Sequence, residues 1–107
     1  SAIPHLAQRI RPVVDYVMQN ASRSDLSIAE LIRLTPWSRR YFFRAFRIVT
    51  GMSPNEYIQH VRINRALSLL AIGGLPINEV ARQCGYDDPA YFSRVFARKV
   101  GHPPSRL

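Results

Sequence analysis

Residues 38–50 read SRRYFFRAFRIVT, a stretch that holds Arg39, Arg40, Arg44 and Arg47 and no acidic side chain. A guanidinium is a planar, permanently charged fork that pairs bidentately with phosphate oxygens or with the O6 and N7 atoms of guanine. If this stretch is helical, Arg40, Phe43, Arg44 and Arg47 share one face, because residues three and four apart are neighbours on a helix. Phe42, Phe46 and Val49 then form the opposite, buried stripe. A merely solvated face would mix the two charge signs; four arginines without an acid suit a polyanion. Arg39, Arg40, Phe43 and Arg44 are the candidates for contact with bases. Phe43 has two readings: it curls back into the core, or it makes apolar contact with a thymine methyl group. Tyr41 either joins the core edge or reaches a phosphate. Ser38 and Arg47 are further phosphate candidates.

A second stretch, residues 88–100, reads DPAYFSRVFARKV and repeats the layout with thinner chemistry. Ala90, Ser93, Arg94 and Arg98 face outward, while Phe92, Val95 and Phe96 face a core. Pro89 and Ala90 offer no side-chain donor. Arg98 and Lys99 suit phosphates. Asp87 and Asp88 would oppose a polyanion, but they stand at a helix N-terminus, where capping explains them. The first stretch is therefore expected to supply more of the direct base readout, and the second to add affinity and an apolar contact through Ala90.

Other chemistries find little support. His5, His60 and His102 fall in different elements, and no His, Cys or acid cluster has metal or triad spacing. Cys84 reads as a small core residue. The expectation is a protein that is not an enzyme and that uses no cofactor and no metal. A platform for splayed RNA bases is missing. A basic helical module that binds another protein is the alternative from a different class, and failure to bind random duplex at low salt would favour it.

These side chains need elements to hold them. Ile3, Leu6, Ala7, Ile10, Val13, Val14, Val17 and Met18 recur at three- and four-residue steps and mark an amphipathic helix over about residues 5–20. Pro12 lies inside that stripe, so the helix either kinks there or begins near Arg11. Ser27-Ile-Ala-Glu30 is a capping box that starts a short helix ending near Leu34, and Pro36 prevents its continuation. Ser38 caps a third helix, to about Val49, with Gly51 as its stop. Ser53-Pro-Asn-Glu56 opens a long helix to about Ile72, closed by Gly73-Gly74. Pro76 opens a short helix through Gln83, which Gly85 stops. Asp88-Pro89 caps the last, to about Val100. Nothing alternates with period two, so the fold class is all-α.

An internal repeat organises the elements. Tyr41, Phe42, Arg44, Phe46, Gly51 and Pro54 match Tyr91, Phe92, Arg94, Phe96, Gly101 and Pro104 at an offset of 50. Upstream, Ile28, Glu30 and Arg33 match Ile77, Glu79 and Arg82 at an offset of 49, and the slip falls in a turn. Each copy is a short helix, a tight turn and a longer helix. The expected domain covers residues 1–107, with one helix-turn-helix unit at about 27–50, a linker helix at about 54–72 and a second unit at about 76–100. A helix-turn-helix sets the start of its second helix on base edges in the DNA major groove. The linker is roughly 28 Å long at about 1.5 Å per residue. One turn of DNA is about 34 Å, so two reading helices on such a strut suit successive major grooves, and a strut shorter than the repeat favours bent DNA.

The composition agrees. Fifteen basic residues against seven acidic give a net charge of +8, and 47% of the residues are hydrophobic, enough for a core. Fourteen of the fifteen basic residues are arginine. That bias suits phosphate and guanine, and it equally suits a GC-rich genome. No apolar run approaches the roughly 18 to 20 residues of a membrane span, no signal-peptide pattern opens the chain, and a lone cysteine suits a reducing, cytoplasmic compartment.

Residues 77–104, INEVARQCGYDDPAYFSRVFARKVGHPP, resemble the signature of AraC/XylS-type bacterial transcription regulators: Ile-x-Glu-Val-Ala, Gly-Tyr-x-Asp, Tyr-Phe-x-Arg-x-Phe, then Gly-x-x-Pro. The first unit and the linker, with Tyr57, Arg62, Ala66 and Leu70 in step, fit as well, so the likeness covers about residues 5–107. It implies a domain of about seven helices that binds double-stranded promoter DNA in the cytoplasm, at the nucleoid, with RNA polymerase as a further partner. It implies base contacts from Arg39, Arg40, Phe43 and Arg44 and from Pro89, Ala90, Ser93 and Arg94. The helix starts at Ser27 and Pro76 fall where such domains meet phosphates. It also implies a separate sensing or dimerisation domain N-terminal to this segment.

The chain departs from the pattern in places. Ile32 stands where a small residue is usual and Pro36 where the turn often has Gly, with Trp37 expected to fill the wider crossing. Ala81 and Gly85 keep the usual choices. Pro76 replaces a capping Ser, which removes one acceptor and one backbone N–H. Leu107 stands about where an aromatic residue followed by Arg is usual, so the end reads as truncated.

Overall fold

The structure, a computed structural model, describes residues 3–106; the expectation drawn at Leu107 lies outside them. Every regular element among the described residues is helical. The order is α1 (Ile3–Asn20), α2 (Ile28–Ile32), α3 (Arg39–Thr50), α4 (Pro54–Ile72), α5 (Ile77–Gln83) and α6 (Pro89–Val100), followed by a 3-10 turn at Pro104–Arg106. No helix among the described residues is long and apolar enough to cross a membrane.

The chain divides into two compact units. The first takes the residues up to Asn20 together with Leu26–Ile58, and the second takes Ala21–Asp25 together with the residues from Gln59 on. Sequence reading places neither α1 nor the segment 21–25 in a unit.

In the first unit α1 continues through Pro12, so of the two alternatives the start near Arg11 is not the one adopted. Its buried stripe of Leu6, Ile10, Val13 and Val17 lies on both sides of the proline, so packing holds both halves in one helix. Pro12 and Gln8 are exposed, so the carbonyl that loses its partner is on the wet face. Phe42 and Phe46 of α3 are fully buried with Leu31, and Ala45 nearly so. Val49, expected in the same stripe, is half-buried. Helix α2 ends at Ile32 rather than near Leu34. The Thr35 hydroxyl donates to the Ile32 carbonyl at 2.8 Å and accepts from the Trp37 N–H at 3.3 Å, while Pro36 disfavours helical backbone at Thr35. These bonds tie down the turn in which Ile32 and Trp37 are both half-buried.

The second unit is built on Ile63, Ala66, Val80, Ala81, Cys84, Tyr86, Phe92, Val95 and Phe96. Cys84 is a fully buried free thiol, and burial pushes its pKa up to about 11. At the centre is Arg62 on α4. Its Nε donates to the Ala21 carbonyl at 2.8 Å, a second guanidinium nitrogen donates to the Arg23 carbonyl at 2.7 Å, and the group lies 5.4 Å from the centre of the Tyr86 ring. Charge-assisted bonds of this kind contribute about 1.5–3 kcal/mol each when made and leave a costly cation when broken. Gly85 passes directly beneath with φ +96°, and a Cβ there would clash with the Ala21 carbonyl oxygen and stand 2.8 Å from Arg62 Nε. Glycine at the turn between α5 and α6 therefore answers two demands, a left-handed backbone and close approach to the clamp.

Candidate nucleic-acid interface

The start of each reading helix is fixed by its cap. Ser38 Oγ accepts from the Tyr41 N–H at 3.2 Å, and Asp88 Oδ1 accepts from the Ala90 N–H at 3.0 Å. Both helices end at a left-handed glycine, Gly51 and Gly101. The serine caps at Ser27 and Ser53 form as expected, accepting from the Glu30 N–H at 3.2 Å and the Glu56 N–H at 3.1 Å. Pro76 begins α5 without any side-chain cap. Each of these four side-chain caps satisfies one of the otherwise unpartnered N–H groups of its helix start and fixes where the helix begins.

On α3 the aromatic packing turns Phe42 and Phe46 inward, with ring centres 5.7 Å apart. That orientation sets the rest of the wheel. Arg39, Arg40, Arg44 and Arg47 are all exposed. Arg40 and Arg44 form no ion pair among the described residues, so their charge is available to a ligand. Arg39 lies 5.1 Å from the centre of the Phe43 ring, a cation–π contact, and Phe43 is half-buried with its edge against Phe42 at 6.0 Å. Phe43 is thus partly turned toward the core through Phe42, as the first reading expected, and it also supports a guanidinium, which neither reading foresaw. Arg47 is differently placed. It pairs with Glu56 at 3.2 Å, and this contact helps hold the Glu56 carboxyl below the usual carboxylate range, after the larger effect of Ser53. Tyr41 is 47% exposed and packs on Trp37 at 5.1 Å between ring centres, so it does not join the buried core.

On α6 the core face is Phe92, Val95 and Phe96, all fully buried. Pro89, Ala90, Arg94, Arg98 and Lys99 are exposed and Ser93 is half-buried. Arg94 lies 5.7 Å from the centre of the Tyr91 ring, and the Tyr91 hydroxyl accepts from Gln59 Nε2 at 3.2 Å. On α5, Arg82 pairs with Glu79, which holds that carboxyl at about 2 and cancels one charge locally. Among the described residues no group of three or more His, Cys, Asp or Glu side chains could hold a metal ion.

Each of the two faces therefore offers a capped helix start and exposed arginines at helical spacing; α3 contains no acid, while α6 begins beside the exposed Asp87 and its cap Asp88. Sequence reading found these residues. It missed the partners that orient them, namely Glu56 for Arg47, the Phe43 ring for Arg39 and the Tyr91 ring for Arg94. The aromatic residues were visible as neighbours at helical spacing, but only the folded side chains show which arginine each one carries.

Similarity to known proteins agrees with this geometry. A family model described as a helix-turn-helix domain matches residues 31–107. The HTH-type transcriptional activator RhaR of Salmonella dublin is 37% identical over 89 residues, covering 83% of this chain and 32% of that protein. The chain thus spans about a third of the length of this curated relative. A solved structure of a probable AraC family transcriptional regulator from Rhodopseudomonas palustris CGA009 is 32% identical, with a TM-score of 0.79 over 92% of this chain and 93% of that one. The DNA-binding domain of the global transcriptional factor AdpA, solved in complex with a target DNA, is 28% identical, with a TM-score of 0.85 over 92% of this chain and 87% of that one.

Proposed function

This chain belongs to the AraC/XylS-type family of helix-turn-helix domains, and from that premise we propose that it binds specific double-stranded DNA sequences and regulates transcription from bacterial promoters. The observation that carries the reading is the α3 face, where Arg40 and Arg44 stand exposed at the start of a capped helix that contains no acid. Arg39, Arg40, Phe43 and Arg44 on α3 contact bases, as do Pro89, Ala90, Ser93 and Arg94 on α6. Ser27, Ser38, Tyr41, Arg47, Arg98 and Lys99 contact phosphates. The two reading helices enter successive major grooves. Arg47 reaches a phosphate by loosening or sharing its pair with Glu56.

The wider setting belongs to the same proposal. The protein works in the cytoplasm at the nucleoid, with RNA polymerase as a further partner and with a sensing or dimerisation domain N-terminal to this segment. RhaR's description as a transcriptional activator supports a binding role rather than an enzymatic one.

Selection of bound duplexes from a random library tests the reading directly. The expected product is a motif in which Arg40→Ala and Arg44→Ala each relax one position, at a cost of roughly 1–3 kcal/mol for a bidentate contact with guanine. Equal losses on all sequences would make these residues phosphate clamps, and no binding to any duplex at low salt would sink the reading.

A further inference from the structure

Four side chains of the second unit form a column in which two tyrosine rings lie between two arginines. Arg62 lies 5.4 Å from the Tyr86 ring centre, Tyr86 and Tyr91 are 6.1 Å apart, and Arg94 lies 5.7 Å from the Tyr91 ring centre. The inner end is fixed, because the Arg62 guanidinium donates to two backbone carbonyls and Tyr86 is only 5% exposed. The outer end is open: Tyr91 is 40% exposed and Arg94 is on the surface. Gln59 closes the column from the side by donating to the Tyr91 hydroxyl at 3.2 Å. A flexible arginine is thus laid against a ring that is itself held by a neighbouring ring and at its hydroxyl.

The first unit shows what happens without this support. Trp37 and Tyr41 are the counterparts of Tyr86 and Tyr91 at offsets of 49 and 50, and their rings meet at 5.1 Å. At the offset of 49 that holds upstream of the turn, the counterpart of Arg62 is Val13, an apolar side chain with no donor to anchor such a column. Among the described residues Arg44, the counterpart of Arg94, has no ring contact of this kind. It lines an open groove with Leu6, Tyr41, Ala45 and Ile48.

We propose that Tyr91, held by Tyr86, Arg62 and Gln59, is a positioning residue that pre-orients Arg94 for base readout by α6. Holding a long side chain before binding lowers the entropy lost on contact and narrows the geometries it can satisfy. The second unit then gains discrimination from a surface poor in donors. This inference rests on the assignment of Arg94 to a base contact.

The test is duplex selection with the chain and four variants, Arg94→Ala, Tyr91→Leu, Tyr91→Phe and Gln59→Ala. Arg94→Ala should erase the preference at one base pair. Tyr91→Leu should weaken the preference at that same pair by about two- to five-fold, the factor of an exposed cation–π contact, and leave the positions read by α3 unchanged. Tyr91→Phe keeps the ring and should retain most of the preference, with Gln59→Ala close to it. In the free protein, Arg94 side-chain NMR should show a restricted Nε–Hε in the parent and in Tyr91→Phe, and a mobile one in Tyr91→Leu. That measurement needs no DNA and also reports whether the variant is folded. Full preference and unchanged Arg94 mobility in Tyr91→Leu, alongside a loss in Arg94→Ala, would overturn the positioning role alone. An unchanged motif in Arg94→Ala would overturn the base contact itself, and with it the positioning role.

Discussion

Replacing Gly85 by alanine should damage the second unit far more than the same change at Gly51. Both glycines have positive φ, +96° and +77°, so each alanine carries the left-handed backbone strain of roughly 1–2 kcal/mol. At Gly51 nothing lies within 4 Å of the added Cβ, and the cost should stop there. At Gly85 the Cβ overlaps the Ala21 carbonyl and stands 2.8 Å from Arg62 Nε, and neither neighbour is free to yield. The carbonyl is backbone, and Arg62 is bound to it at 2.8 Å. Relief requires breaking or stretching at least one charge-assisted bond, worth about 1.5–3 kcal/mol. The expected total is roughly 3–5 kcal/mol for Gly85→Ala against about 1–2 for Gly51→Ala. Urea unfolding followed by circular dichroism measures both. A double-mutant cycle with Arg62→Ala separates strain from clash, because Gly85→Ala should cost at least about 1 kcal/mol less once Arg62 is gone. Equal losses at the two glycines, or a cycle that closes to zero, would refute the claim that Gly85 makes room for the clamp.

Four further outcomes follow from the same geometry. The Tyr86 hydroxyl is buried and has no hydrogen-bond partner among the described residues, so Tyr86→Phe should be neutral or up to about 1 kcal/mol stabilising; a loss of that size in denaturant unfolding would mean the hydroxyl is paired. Burial raises the Cys84 pKa from 9.0 to about 11 and that of Tyr86 from 10.0 to about 12. Both groups ionise earlier in the unfolded chain, so stability should hold below pH 9 and fall between pH 9 and 12, with a shallower fall in Cys84→Ala and Tyr86→Phe; a flat alkaline profile would contradict this. Glu56→Ala releases Arg47 and should tighten binding to all duplexes while steepening the salt dependence by up to about one unit; an unchanged slope would remove Arg47 from the phosphate contacts. Arg98→Ala should weaken all sequences alike and flatten that slope by about one unit, as titrations at several salt concentrations would show.

What was legible in the sequence was local. The caps at Ser27, Ser38, Ser53 and Asp88 depend on residues within three positions, and each forms the expected bond. The inward faces of α3 and α6 follow from helical period and aromatic spacing. Pro12 left two outcomes open, and the start near Arg11 failed because a proline's local cost says nothing about the buried stripe that spans it. The pair Arg47–Glu56 crosses from one helix to the start of the next, nine residues apart, where no helical period applies. Arg62 was visible only as a residue in step with a pattern. Its acceptors lie 41 and 39 residues earlier in the chain, and backbone carbonyls leave no trace in side-chain type.

The contact of Arg62 with Ala21 and Arg23 also governs how this protein can be taken apart. The sequence repeat suggests two modules that a cut between them would separate. Yet the second unit borrows residues 21–25 from a point upstream of the whole first reading helix, so it is discontinuous along the chain. A fragment starting at Gln59 would keep α5, α6 and every candidate base contact of the second unit, but it would lose both carbonyls that receive the half-buried guanidinium. The duplicated pattern is therefore a repeat in sequence without being a pair of transplantable parts: α6 can be mutated on its own, but it can be moved to another protein only with the five-residue strap that closes its unit.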